Sequence, residues 1–182
     1  MQEKMNPDVS GEGVVYSDDL KNGYLEQFLS RQKIGQRKSV NASRELIKAL
    51  HRIVSILGYD KATIGSYATA IIRWHIDKNQ SLLRAIEYES YQGDDYPETA
   101  HKTDKTRAYV ERYLTADDVN RNGTGSFHLP RELADKLHYY INAINGKKPT
   151  VGSYADAIIT NHLNSFEGLL SEMLGEKMRN SQ

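Results

Sequence analysis

Apolar residues at Leu46, Leu50, Ile53, Val54 and Leu57 repeat every three to four positions, which predicts an amphipathic helix. Ser43 can cap its start and Gly58 stops it. Asp60-Lys61-Ala62 predicts a turn. Thr63 then caps a second helix, with Tyr67, Ala68, Ile71, Ile72, His75 and Ile76 on one face, running on towards Ile86. The period changes at Thr124 to Leu129, where apolar Phe127 and Leu129 alternate with polar Ser126 and His128, the signature of a half-buried strand. Pro130 stands where a helix begins. Leu133, Leu137, Tyr140, Ile141 and Ile144 form the next stripe, ended by Asn145-Gly146. Pro149-Thr150 opens a last helix whose apolar face is Tyr154, Ala155, Ile158, Ile159, His162 and Leu163. Upstream, Gln36 to Ala42 is short and non-helical in pattern, and Tyr24 to Leu29 is a short amphipathic helix or turn.

These elements occur twice. Shifted by 87 residues, Ser39–Glu87 lies on Ser126–Leu174 without a gap, and about 18 of roughly 50 positions are identical. Arg44-Glu45-Leu46 falls on Arg131-Glu132-Leu133, Gly65-Ser66-Tyr67-Ala68 on Gly152-Ser153-Tyr154-Ala155, and His75 on His162. With a two-residue insertion the match extends to Tyr24–Leu29 and Tyr109–Leu114. Each copy predicts strand, helix, turn, helix. The boundaries follow: 1–21 a disordered arm, 22–88 the first copy, 89–106 a linker, 107–175 the second copy and 176–182 a tail. Units this small bury little core alone, so pairing is expected.

Composition changes this picture in one respect. The 182 residues carry 24 Lys and Arg against 24 Asp and Glu, a net charge of zero. The distribution is uneven: residues 22–88 hold 11 basic against 5 acidic, residues 107–175 hold 7 against 8, and the arm and linker hold 2 against 5 each. The first copy is a basic module between acidic segments, the footprint of phosphate binding. With no cysteine, neither a disulfide nor a thiolate metal site can form. A polar start and no long apolar run lead to the expectation of a soluble, cytoplasmic protein.

A lone short strand needs an antiparallel partner, and the equivalent strand of a second copy is the obvious one. The result is a mainly α fold with a short β-ribbon, one ribbon face on the helices and the other open. Such a ribbon fits the major groove. Phe127-His128-Leu129-Pro130-Arg131-Glu132 resembles the strand-to-helix junction of the ribbon-helix-helix superfamily. Thr63-Ile64-Gly65-Ser66-Tyr67 and Thr150-Val151-Gly152-Ser153-Tyr154 resemble its second-helix start. More narrowly, each copy is similar to an uncharacterised family encoded in conjugative transposons of Bacteroidetes. The shared pattern is a Tyr…Phe-Leu lead-in, a basic strand, a helix, then Ser66-Tyr67…Ile71…His75, repeated as Ser153-Tyr154…Ile158…His162.

The resemblance implies tandem ribbon-helix-helix copies pairing as a pseudo-two-fold unit that binds double-stranded DNA. Alternation puts Arg37, Ser39 and Asn41 of the first strand, and Thr124, Ser126 and His128 of the second, on the base-reading face. Arg suits guanine and Asn suits adenine. The second strand has no Lys or Arg. Phosphate contacts are expected from Lys38, Lys61, Gly65 and Ser66, and from Lys148, Gly152 and Ser153. The implied process is an accessory role in DNA transfer, partition or repression of its own operon, with a relaxase or partition-type ATPase as protein partner. The alternative is an interaction scaffold of a transfer apparatus without DNA binding. Pairing within one chain is favoured over a homodimer, because the strands differ in a complementary way.

No catalytic pattern is present: there is no Walker-type loop, nucleophile elbow or HExxH. Asp94, Asp95 and Glu98 sit in a linker with Gly and Pro. His51, His75, His138 and His162 are expected as hydrogen-bonded helix residues rather than metal ligands, and Tyr67 and Tyr154 as core residues with satisfied hydroxyls. No cofactor is expected.

Overall fold

The computed structural model describes residues 15–31, 35–58, 61–91, 104–114, 124–143 and 149–181. Among them are eight helices and two strands, in the order α1 Asp18–Phe28, β1 Arg37–Ser43, α2 Arg44–Leu57, α3 Ile64–Lys78, α4 Gln80–Tyr91, α5 Asp104–Tyr113, β2 Thr124–Pro130, α6 Arg131–Asn142, α7 Val151–Ser165 and α8 Glu167–Arg179. Helix, strand and three helices thus occur twice. No described helix is long and apolar enough to cross a membrane.

Local chemistry accounts for the helix boundaries. The Ser43 hydroxyl accepts the Leu46 N–H at 3.3 Å, and the Gly58 N–H closes α2 on the Val54 carbonyl. The helix buries Leu46, Leu50, Ile53 and Leu57. Both α3 and α7 start in a capping box, Thr63 with Ser66 and Thr150 with Ser153.

Four expected boundaries move. Helix α1 begins within the expected 1–21 arm, because the Ser17 hydroxyl caps Leu20 and Asp18 and Asp19 complement the dipole. The arm's first 14 residues lie outside the described ones. Helix α5 starts at Asp104, inside the expected 89–106 linker, and α8 runs to Arg179, into the expected tail. The helix expected to run from Thr63 towards Ile86 is interrupted at Asn79. The Asn79 side-chain amide donates to the His75 carbonyl at 2.8 Å and competes with the helical ladder. In the second copy the interruption falls at the equivalent Phe166.

Strands β1 and β2 pair antiparallel, with Arg37 opposite Pro130, Val40 opposite Phe127 and Ser43 opposite Thr124. Val40 and Phe127 are themselves equivalent under the 87-residue shift, so an approximate two-fold axis passes through this pair. Their side chains are 4 % and 3 % exposed, and Ala42 and Leu129 beside them are fully buried. Beneath the ribbon the packing crosses over. Helix α7 lies against β1 and α3 against β2, and α3 and α7 touch each other. Each copy's second helix therefore covers the other copy's strand, and one core runs through both.

Two buried hydrogen-bond networks tie the crossing. Tyr24 on α1 joins Tyr67 on α3 at 2.6 Å and His162 on α7 at 3.0 Å. Tyr109 on α5 joins Tyr154 on α7 at 2.6 Å and His75 on α3 at 2.7 Å. Each network takes two tyrosines from one copy and a histidine from the other. Outside them, Lys21 on α1 is 7 % exposed and is held between Glu172 at 2.6 Å and Glu176 at 2.7 Å on α8.

Candidate nucleic-acid interface

The pleat alternates side chains between the ribbon's two faces. Arg37, Ser39 and Asn41 on β1 and Thr124, Ser126 and His128 on β2 are all exposed, on the face away from the helices. Val40, Ala42, Phe127 and Leu129 fill the other face. The antiparallel register sets Ser39 level with His128 and Asn41 level with Ser126. The six candidate base-reading residues thus occupy one continuous surface, and neither strand contains a carboxylate. Lys38 lies in phase with the inner face but at its edge, with its side chain 49 % exposed and 3.4 Å from Asp135 on α6.

The ribbon's ends are fixed by one backbone bond and by side chains, of which Asp156 was not singled out by the sequence patterns. At one end the Arg131 N–H donates to the Gln36 carbonyl at 2.8 Å, continuing the pairing past Arg37. The exposed Arg131 guanidinium reaches the Gln36 side chain at 3.5 Å. At the other end Asp156 of α7 accepts the Ser43 N–H at 3.0 Å and the Ser43 hydroxyl at 2.8 Å. Arg44 and Arg131 are the same residue at equivalent places of the two copies.

The candidate phosphate contacts separate into two groups. The hydroxyls of Ser66 and Ser153 are taken up by capping. Ser66 donates to the Thr63 carbonyl at 2.9 Å and accepts the Thr63 N–H at 2.8 Å, and it is 1 % exposed. Ser153 makes the same pair of bonds to Thr150, at 3.0 and 2.9 Å. Both hydroxyls thus serve the caps of their own helices. Gly152 is likewise reassigned: a Cβ there would overlap the Asn41 carbonyl oxygen, so its missing side chain admits β1 rather than a phosphate. Gly65 is half-buried, and its carbonyl accepts the Thr69 hydroxyl at 2.7 Å. Lys61 is exposed just before α3, with a positive φ of 56°. Lys148 lies outside the described residues.

The histidines expected as helix-seam residues divide as well. His75 and His162 are 4 % and 2 % exposed in the crossing networks. Burial, reinforced by nearby Lys78, lowers the His75 pKa to about 4. Burial, then His75 and Lys78, lowers that of His162 to about 3. His138 is exposed, as is His51, whose Nδ1 lies 3.3 Å from the Ser55 hydroxyl. Burial also drives the phenols of Tyr24, Tyr67, Tyr109 and Tyr154 upward, so all four stay neutral donors and acceptors. The repeated tyrosine and histidine positions are therefore core connectors. Among the described residues no group of three or more His, Asp or Glu could hold a metal ion.

Residues 7–89 match the model of a protein family of unknown function, DUF3408. The matched segment contains α1, β1, α2, α3 and nearly all of α4. No curated protein and no solved structure matches the chain.

Proposed function

We propose that the chain is a non-enzymatic, sequence-specific DNA-binding protein of tandem ribbon-helix-helix type, serving a conjugative element as an accessory or regulatory factor. The observation that carries this is the ribbon itself. Its inner face is buried, and its open face presents six polar or cationic side chains with no carboxylate. A two-stranded ribbon has the width to enter the major groove, where these side chain types hydrogen-bond base edges. Arg37, Arg44 and Arg131, all exposed, stand at its ends, where phosphates flank the groove. The conjugative role rests on the resemblance of both copies to proteins of conjugative transposons.

Affinity for duplex DNA measured against salt tests this. A ribbon reader loses affinity steeply as salt rises from about 50 to 200 mM, because released counterions contribute much of the binding. Replacing Arg37 and Asn41 together by Ala should abolish preference for a selected site while leaving the circular dichroism spectrum unchanged. Absence of DNA affinity at low salt would instead favour a scaffold that keeps the fold without reading DNA.

A further inference from the structure

The two ends of the ribbon are built from both copies, and they are chemically different. Pairing about Val40 and Phe127 puts Arg37 at one end, with Ser39 and His128 level with each other next to the axis. At the other end Thr124 takes the place equivalent to Arg37, with Asn41 and Ser126 next to the axis. Crossing the axis therefore exchanges Arg37 for Thr124 and His128 for Asn41, and only the serines are conserved between ends. Arg37 and Asn41 belong to one copy but to opposite halves of the ribbon.

The surroundings follow the same division. Lys38, paired with Asp135 at 3.4 Å, and Arg131 accompany Arg37, so Asp135 offsets one of the three cations there. At the far end Gly125 is the equivalent of Lys38, and the half-buried Asp156 carboxylate lies against Ser43. One end is cationic and rich in donors. The other carries Arg44 and the Asp156 carboxylate, opposite charges whose formal sum is zero.

We infer that the open face reads a non-palindromic duplex site with two unlike halves, a conclusion that rests on the DNA-binding function proposed above. Arg37 specifies guanine in one half and Asn41 specifies adenine in the other, each by a bidentate contact. Strand rise is roughly 3.3 Å per residue and base-pair rise roughly 3.4 Å, so one residue of displacement is about one base pair. Arg37 lies three residues from the axis and Asn41 one residue on the opposite side. The guanine then falls about three base pairs from the centre, and the adenine about one base pair beyond it.

Selection of bound duplexes from a random library by the full chain, followed by sequencing, tests this. The expected site has unequal halves. Arg37→Ala should flatten preference in one half and Asn41→Ala in the other, each lowering affinity for the selected site about tenfold. Thr124→Arg, at an exposed position, should shift the selected site towards two matching guanine-bearing halves. A palindromic site selected by the unaltered chain overturns the asymmetry but leaves DNA binding standing. So does a pair of alanine variants that erase preference in the same half. Failure to retain any duplex at low salt, by a chain whose circular dichroism shows it folded, overturns DNA binding and the asymmetry together.

Discussion

Acidification from pH 7.5 to 5 probes the two crossing networks. His75 and His162 carry folded-state pKa values of about 4 and about 3, because burial penalises their charged forms. In the unfolded chain both protonate near the ordinary value of about 6.5. A base whose pKa is depressed on folding binds fewer protons folded than unfolded. Its stabilising effect is therefore complete above about 6.5 and drains away as pH falls towards the folded values. Each imidazole loses roughly 1.4 kcal/mol per pH unit in that window, so the pair loses roughly 4 kcal/mol between pH 7.5 and 5. In a chain of this size that lowers Tm by about 8–16 °C. Glu172, whose pKa is lowered first by the Lys21 hydrogen bond, acts only below the ordinary carboxylate range and leaves this window clean. Urea unfolding at several pH values measures the slope. His162→Gln should halve it, since one of the two titrating imidazoles is gone and an amide stays within reach of Tyr24. A urea midpoint that does not move between pH 7.5 and 5, or a slope unchanged in His162→Gln, would show that the buried imidazoles do not carry this pH dependence.

Two further outcomes follow from the packing. Gly152→Ala drives a Cβ into the Asn41 carbonyl and should destabilise the chain by about 1–3 kcal/mol in urea, whereas Gly35→Ala meets open space and should be neutral. Phe127→Asp places a carboxylate on the approximate two-fold axis at a site 3 % exposed, and should unfold the chain or split the ribbon. A variant that stays folded at unchanged size on gel filtration would show that the inner face is misassigned.

Much of this architecture was legible because burial imposes a period. Phe127 and Leu129 alternate cleanly with polar neighbours, so the second strand and its inner face could be assigned from sequence. Val40 and Ala42 gave a weaker alternation, yet they face the same core. The interruption at Asn79 was hidden because Leu83 and Ile86 on α4 are buried too, and the apolar spacing runs across the break. The start of α5 was hidden for the opposite reason, although its later part matched Tyr24–Leu29 in the first copy. Asp104–Tyr113 is largely polar and buries only Thr106, Tyr109 and Tyr113, too sparse a stripe to mark where the linker ends. Nothing local tells that Gly152 admits a strand from the other copy. The same Gly-Ser-Tyr sequence fits a phosphate clamp equally well, and only the Asn41 carbonyl above it decides the matter.

The differences between the copies are compensated where they touch the fold and uncompensated where they face solvent. Position 43 is a serine with an N–H and a hydroxyl to satisfy, and Asp156 on α7 supplies the acceptor. Its equivalent Pro130 has neither donor, and the residue equivalent to Asp156 is Thr69, whose hydroxyl turns back to the Gly65 carbonyl of its own helix. A change at one crossing point is matched by a change in its partner, and the ribbon keeps an unbroken register through both. On the open face Arg37 and Thr124, or Asn41 and His128, differ with no such matching, and their side chains are exposed. Identity between the copies at Tyr67, Ala68, Ile71, Ile72 and His75 therefore traces the demands of the shared core.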